Sequence, residues 1–173
     1  MTDSLLPDAF GHHIWATDLV LGACADLSPA QLETTVPGTY GSIIDTLRHL
    51  VGGDASYLAV LTGETVAEVD EERAGIGELR AAMAAIGPAW VSLAARDFDP
   101  AEIVIRHRDD GTDSRAPRGI RLLQAIQHGT DHRSQICTAL TSLGVEPPEI
   151  DLWAYASKEG RIEVVPSGPA SLN

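Results

Sequence analysis

The sequence predicts an all-α protein built as a four-helix bundle. Four long stretches repeat apolar side chains at alternating steps of three and four, the signature of a helix with one buried face. Each of them ends in glycine, proline or a run of charged residues. The connections between them are short to medium, which suits helices packed side by side. Only one short β-branched run interrupts the helical pattern.

Helix 1 is expected from about Pro7 to Leu27, with Asp3 or Ser4 near its start and Pro7 in the first turn. Phe10, Ile14, Thr17, Leu21 and Cys24 form its stripe; His13 neighbours the stripe and His12 lies off it. Ser28-Pro29-Ala30-Gln31-Leu32 opens a short turn, and residues Val36 to Gly41 read as a loop. Helix 2 begins at Ser42, where the serine and Asp45 three residues on resemble a capping box, and runs to Gly63. Ile43, Leu47, Leu50, Leu58 and Leu61 give its apolar face. His49 lies a little round from that face beside Thr46, Gly53 and Ser56, all of them small. The pair Gly52-Gly53 in mid-helix costs about 1 kcal/mol per glycine relative to alanine. It points to close approach of another helix or a ligand, the alternative being simple tolerance.

Glu64 to Arg73 reads as an acidic, solvated connector from which no chemistry is expected. Helix 3 follows from about Gly75 to Arg96, with Leu79, Met83, Ile86, Trp90 and Leu93 along one seam. Gly87-Pro88 is expected to kink or split it. Ile103 to Arg108 predicts a small strand or extended crossover, with turn chemistry from Asp109 to Thr112 and an exposed His107. Helix 4 spans about Ile120 to Leu143, its core face drawn from Leu122, Leu123, Ile126, Ile136, Leu140 and Leu143, with Gly144 as the stop. Glu149 to Tyr155 suggests one or two further helical turns that pack aromatics on the bundle end. The tail from Gly160 to Asn173 is expected to be irregular, with a short strand at Ile162–Val165. Residues 1–173 are read as one domain.

Twelve basic residues against twenty-five acidic ones leave a net charge of −13, a poor match for a nucleic-acid backbone or an anionic lipid surface. The sequence shows neither a basic-then-apolar leader nor an apolar run of the roughly 20 residues that span a bilayer, so a cytoplasmic protein is expected. Two cysteines, Cys24 and Cys137, each sit among apolar neighbours and read as small core residues.

The chemistry concentrates in Gln127-His128-Gly129-Thr130-Asp131-His132-Arg133-Ser134-Gln135. Residues four apart on a helix stand one above the other, so His128 and His132 can offer two imidazoles to one metal ion. A zincin would carry glutamate directly after the first histidine. Gly129 stands there instead, which disfavours that class. A third ligand must come from elsewhere, and His49 is the one histidine in another well-formed helix with space around it. The Glu-x-x-His pairs of di-iron bundles are absent. His12, His13 and His107 read as ordinary core or surface histidines. Asp45, Asp54 and Asp131 are the acids nearest in sequence for a general base. Asp131 points about 100° away from His132, which suits a supporting or structural role better. Gln135 is nearly in line with the two histidines and can hydrogen-bond in the site, and Arg133 suits an internal ion pair, the alternative being an anionic substrate group.

These residues resemble the DinB/YfiT-like superfamily of metal-dependent bundle proteins. Gly41 to Leu50 is similar to the segment ending in that family's first metal histidine. His128 to Ile136 resembles its His-x-x-x-His-Arg-x-Gln segment, and His13-Ile14-Trp15-Ala16 and Leu143 to Asp151 are similar to flanking regions. The resemblance implies non-sequential helix packing, a homodimer and a metal site of His49, His128 and His132. It also implies a transferase or isomerase using a low-molecular-weight thiol such as mycothiol or bacillithiol on an electrophilic substrate. A non-catalytic stress or damage-inducible binding protein, and a hydrolase using metal-bound water, are the other readings. Zinc, nickel, iron and manganese all accept imidazole, so the donor set does not choose among them.

Overall fold

The computed structural model describes residues 5–165. Its long helices are α1 (Leu6–Cys24), α3 (Ile43–Thr62), α4 (Ile76–Ala94) and α5 (Arg118–Ser142). Two short helices, α2 (Pro29–Leu32) and α6 (Leu152–Lys158), and a hairpin of β1 (Ile103–His107) and β2 (Asp113–Pro117) complete the described elements. The four long helices match the four expected ones. Asp3 and Ser4, the expected caps of the first, lie outside the described residues.

Helix α1 packs on α4 and α5, and α3 packs on the same two. The order round the bundle is therefore α1, α4, α3, α5, which is the non-sequential packing the resemblance implies. It makes α3 and α5, the carriers of His49 and of the His128/His132 pair, direct neighbours. Phe10 of α1 stacks on Trp90 of α4 with ring centroids 4.6 Å apart, both fully buried.

Local chemistry sets the helix ends. Ser28 and Gln31 form a reciprocal capping box at α2. The Ser42 hydroxyl accepts the Asp45 N–H and donates to the Asp45 carboxylate at 2.7 Å. Helix α3 stops at Gly63, whose φ of 79° is the left-handed geometry that a side chain resists.

Several expectations are corrected. Of the kink or split expected at Gly87-Pro88, the split does not occur: the helix runs on to Ala94. Gly87 instead lets Ile14 of α1 approach closely, since a Cβ there would stand 3.1 Å from Ile14 Cγ2. The extended segment is half of an antiparallel hairpin in which Ile105 pairs with Arg115. Its second strand is polar and ends in proline, so periodicity gave no sign of it. Leu123 faces outward at 59 % exposure, about 100° round the helix from its buried neighbour Leu122. Of the aromatics at the bundle end, Tyr155 packs beside Trp15 and His12, whereas Trp153 is exposed. Ile162 to Val165 form no strand, and 166–173 lie outside the described residues. No helix among the described residues is long and apolar enough to cross a membrane.

Candidate metal centre

The α3–α5 contact brings His49, His128 and His132 together. One nitrogen from each lies within 4.8 Å of the other two. The Nε2 atoms of His49 and His128 are 3.2 Å apart. Two nitrogens each roughly 2.0–2.1 Å from a tetrahedral zinc stand about 3.3 Å apart, so the spacing suits one ion. His128 and His132 are buried, while His49 is half-buried and borders solvent.

The groups behind the rings decide which nitrogens face inward. His49 Nδ1 lies 3.2 Å from Glu71 Oε2, and His132 Nδ1 lies 3.0 Å from Gln135 Oε1. Both partners are oxygens that accept, so each Nδ1 carries the proton and each Nε2 keeps its lone pair. Gln135 Oε1 also accepts the Tyr40 backbone N–H at 3.1 Å, which fixes the amide's orientation. Tyr40 stacks flat on His49, with centroids 4.1 Å apart and planes 5° from parallel. Tyr57 meets the face of His128 edge-on at 5.3 Å. Rings held from behind with lone pairs converging are the arrangement that metal-binding histidines share.

The glycine pair now has a cause. A Cβ on Gly53 would stand 2.5 Å from His128 Cε1, and one on Gly52 would stand 2.7 Å from Glu71 Cδ. Gly53 admits the His128 ring and Gly52 admits the carboxylate that holds His49. Gly129 is explained in the same way. Its absent side chain leaves room for the His13 ring and for Arg133 Nη1, which a Cβ would approach to 2.8 Å.

Glu71 is the residue sequence reasoning missed, because the acidic connector expected to be inert reaches back to the site. Only Gly52 signalled an approach there, without saying by what. The three aspartates named in its place have other partners. Asp45 accepts from the Ser42 hydroxyl, exposed Asp131 accepts from Gln127 at 2.9 Å, and Asp54 is fully buried against His13. Arg133 is buried too, and its Nη1 donates to His13 Nδ1 at 3.0 Å and to Thr17 Oγ1 at 3.1 Å. The internal ion pair expected of Arg133 is therefore indirect, with His13 between it and Asp54. His12 hydrogen-bonds the Ile150 carbonyl at 2.8 Å, and exposed His107 pairs with Asp113. Burial pushes the Cys24 thiol up to about 12 and raises that of Cys137, so neither serves as a thiolate.

Burial, then the nearby His132 and His49, lower the His128 pKa from 6.5 to about 4. Burial also lowers that of His132. The unfolded chain thus takes up a proton near pH 6.5 that folded His128 refuses until about pH 4. The stability tied to neutral His128 is complete above pH 6.5, declines as pH falls towards 4, and is gone below it. Urea titrations of metal-free protein are expected to show this loss, on the order of 3 kcal/mol at most. A stability flat from pH 7 to pH 4 would contradict the burial of these rings.

Helices arranged round three converging imidazoles define a bundle protein equipped to hold a metal ion. The chain belongs to the DinB family, whose pattern matches residues 1–164. No curated protein matches it.

Proposed function

We propose that this DinB-family protein is a metal-dependent enzyme that transfers a low-molecular-weight thiol of the mycothiol or bacillithiol type to an electrophile. His49, His128 and His132 are its metal ligands. The observation that carries the reading is the tautomer arrangement: two outer nitrogens are held by acceptors and the lone pairs opposite them converge. Three neutral imidazoles leave a coordination position open, which is the donor set of a catalytic site rather than a structural one. A divalent ion held there would supply Lewis acidity, keeping a thiol in its nucleophilic form near neutral pH.

The chain's own groups supply the rest. The substrate side is the solvent edge at His49, where exposed Tyr40 forms an aromatic lip over the ring. The Tyr57 hydroxyl accepts from Gln124 Nε2 at 3.5 Å, leaving its own proton free to orient an oxygen of the electrophile. Glu71, half-exposed at this edge, accepts the His49 Nδ1–H and so keeps that ring's Nε2 free for the ion, while the thiol proton passes to solvent at the open edge. The thiol sulfur gives its electron pair to the electrophilic carbon, and a solvent proton ends on the leaving group or the adduct. The homodimer implied by the resemblance, and the reducing cytoplasm expected from the sequence, belong to the same proposal.

The test is loss of free thiol in the presence of model electrophiles, with protein loaded in turn with zinc, nickel, iron and manganese. Metal-dependent turnover with one thiol supports the proposal. Metal uptake without turnover by any thiol favours the non-catalytic binding protein, and ester hydrolysis without thiol favours the hydrolase.

A further inference from the structure

Two of the three imidazoles carry an acceptor on Nδ1, and His128 is the third. Its Nδ1 is buried without a hydrogen-bond partner among the described residues. Gly53 lies against the Cε1 edge of the ring, between its two nitrogens, and the next residue along α3 is Asp54, fully buried. Asp54 Oδ2 is 2.8 Å from His13 Nε2, while Asp54 Oδ1 is also buried without a partner. An unpartnered ring nitrogen and an unpartnered carboxylate oxygen thus occur on the packed helices α5 and α3, although buried polar groups are nearly always paired.

The proton positions follow from Arg133. Guanidinium only donates, so His13 Nδ1 must accept from it and the His13 proton sits on Nε2. That proton goes to Asp54 Oδ2, and Oδ1 of the same carboxylate is left to accept from a second donor. A metal-ligating histidine generally gives its outer N–H to a carboxylate, a carbonyl or a water.

We propose that a side-chain adjustment lets Asp54 Oδ1 accept the His128 Nδ1–H, making Asp54 the positioning residue that turns His128 Nε2 towards the metal. The proposal rests on the reading of the three histidines as ligands. It extends the site into a chain running Arg133, His13, Asp54, His128, which links α1, α3 and α5 behind the ion. A carboxylate that only anchored His13 would leave His128 free to carry its proton on Nε2 in metal-free protein, where His49 Nε2 stands 3.2 Å away as an acceptor.

Asp54→Asn separates the two roles. The His13 N–H still requires an acceptor, so the amide oxygen faces it and the amide NH2 faces His128. His128 Nδ1 must then accept, and its proton moves to Nε2, the nitrogen that would bind metal. Long-range nitrogen–proton NMR of metal-free protein reads the tautomer, and competition with a chelator reads zinc affinity. Wild type is expected to hold His128 as the Nδ1–H form. The variant is expected to convert to Nε2–H and to bind zinc about 10–100-fold more weakly. A folded variant with wild-type tautomer and wild-type zinc affinity overturns the proposal. So does an Nε2–H tautomer in wild type, a measurement that stands even if the variant does not fold. Wild type that binds no zinc while showing the Nδ1–H form and its conversion would overturn the metal reading and leave the hydrogen bond intact.

Discussion

Alanine at position 128 is expected to abolish tight metal binding while the bundle stays folded. His128 shares the closest ligand spacing, 3.2 Å to His49, and its ring fills the notch left by Gly53. Removing it leaves two imidazoles on different helices, too few for a tight site. The loss should exceed the roughly 10–100-fold typical of an outer hydrogen-bond partner. The fold should tolerate the change, because burial keeps the ring neutral and its removal breaks no buried ion pair. Metal content after dialysis, with circular dichroism as the control, checks both parts. Wild-type metal content in the His128→Ala protein would remove the ligand assignment, and an unfolded chain would show that the ring carries structure as well.

Arg133→Met is expected to have the largest effect on stability, a loss of about 3–5 kcal/mol. Arg133 is only 1 % exposed and gathers His13, Thr17 and Thr130 at distances of 3.0–3.3 Å. Burial lowers its pKa to about 10 against the opposing pull of Asp54, so it remains charged at neutral pH. Methionine fills similar space but leaves the Asp54 carboxylate buried with no cation to compensate it. Breaking a buried pair in this way costs far more than replacing both partners. The double variant Arg133→Met with Asp54→Leu should therefore recover part of the loss. Urea unfolding measures all three proteins, and a single-variant loss below about 1 kcal/mol would mean that the guanidinium does not compensate Asp54.

Much of the site could be read from the sequence because helical geometry is local. His128, His132 and Gln135 lie within eight residues, and a period of 3.6 places them on one side without further information. His49 needed the bundle as well, since only packing brings it to its partners. The glycine pair announced a close approach but not its identity, because a missing side chain records space and not its occupant. Glu71 was out of reach for that reason: it sits in an aperiodic acidic run and acts through a contact 22 residues away. The His13–Arg133 contact spans 120 residues, and buried polar networks carry no periodicity to betray them. The second hairpin strand was hidden by its composition, since Asp113-Ser114-Arg115-Ala116-Pro117 lacks the alternation that marks a half-buried strand.

The polar chain through the core joins α1, α3 and α5 and leaves out α4. Among the described residues, no side chain of α4 hydrogen-bonds across to another helix, and its polar link is the exposed pair of Arg80 and Asp18 at 3.7 Å. Apolar contacts such as Trp90 on Phe10 hold it in place. Shape and volume are the only demands on such a face, and many combinations of apolar side chains meet them. The helix is thus the part of the molecule where sequence can drift or be redesigned for heat resistance without disturbing the registry of His49, His128 and His132. The three helices joined by the polar chain have no such latitude.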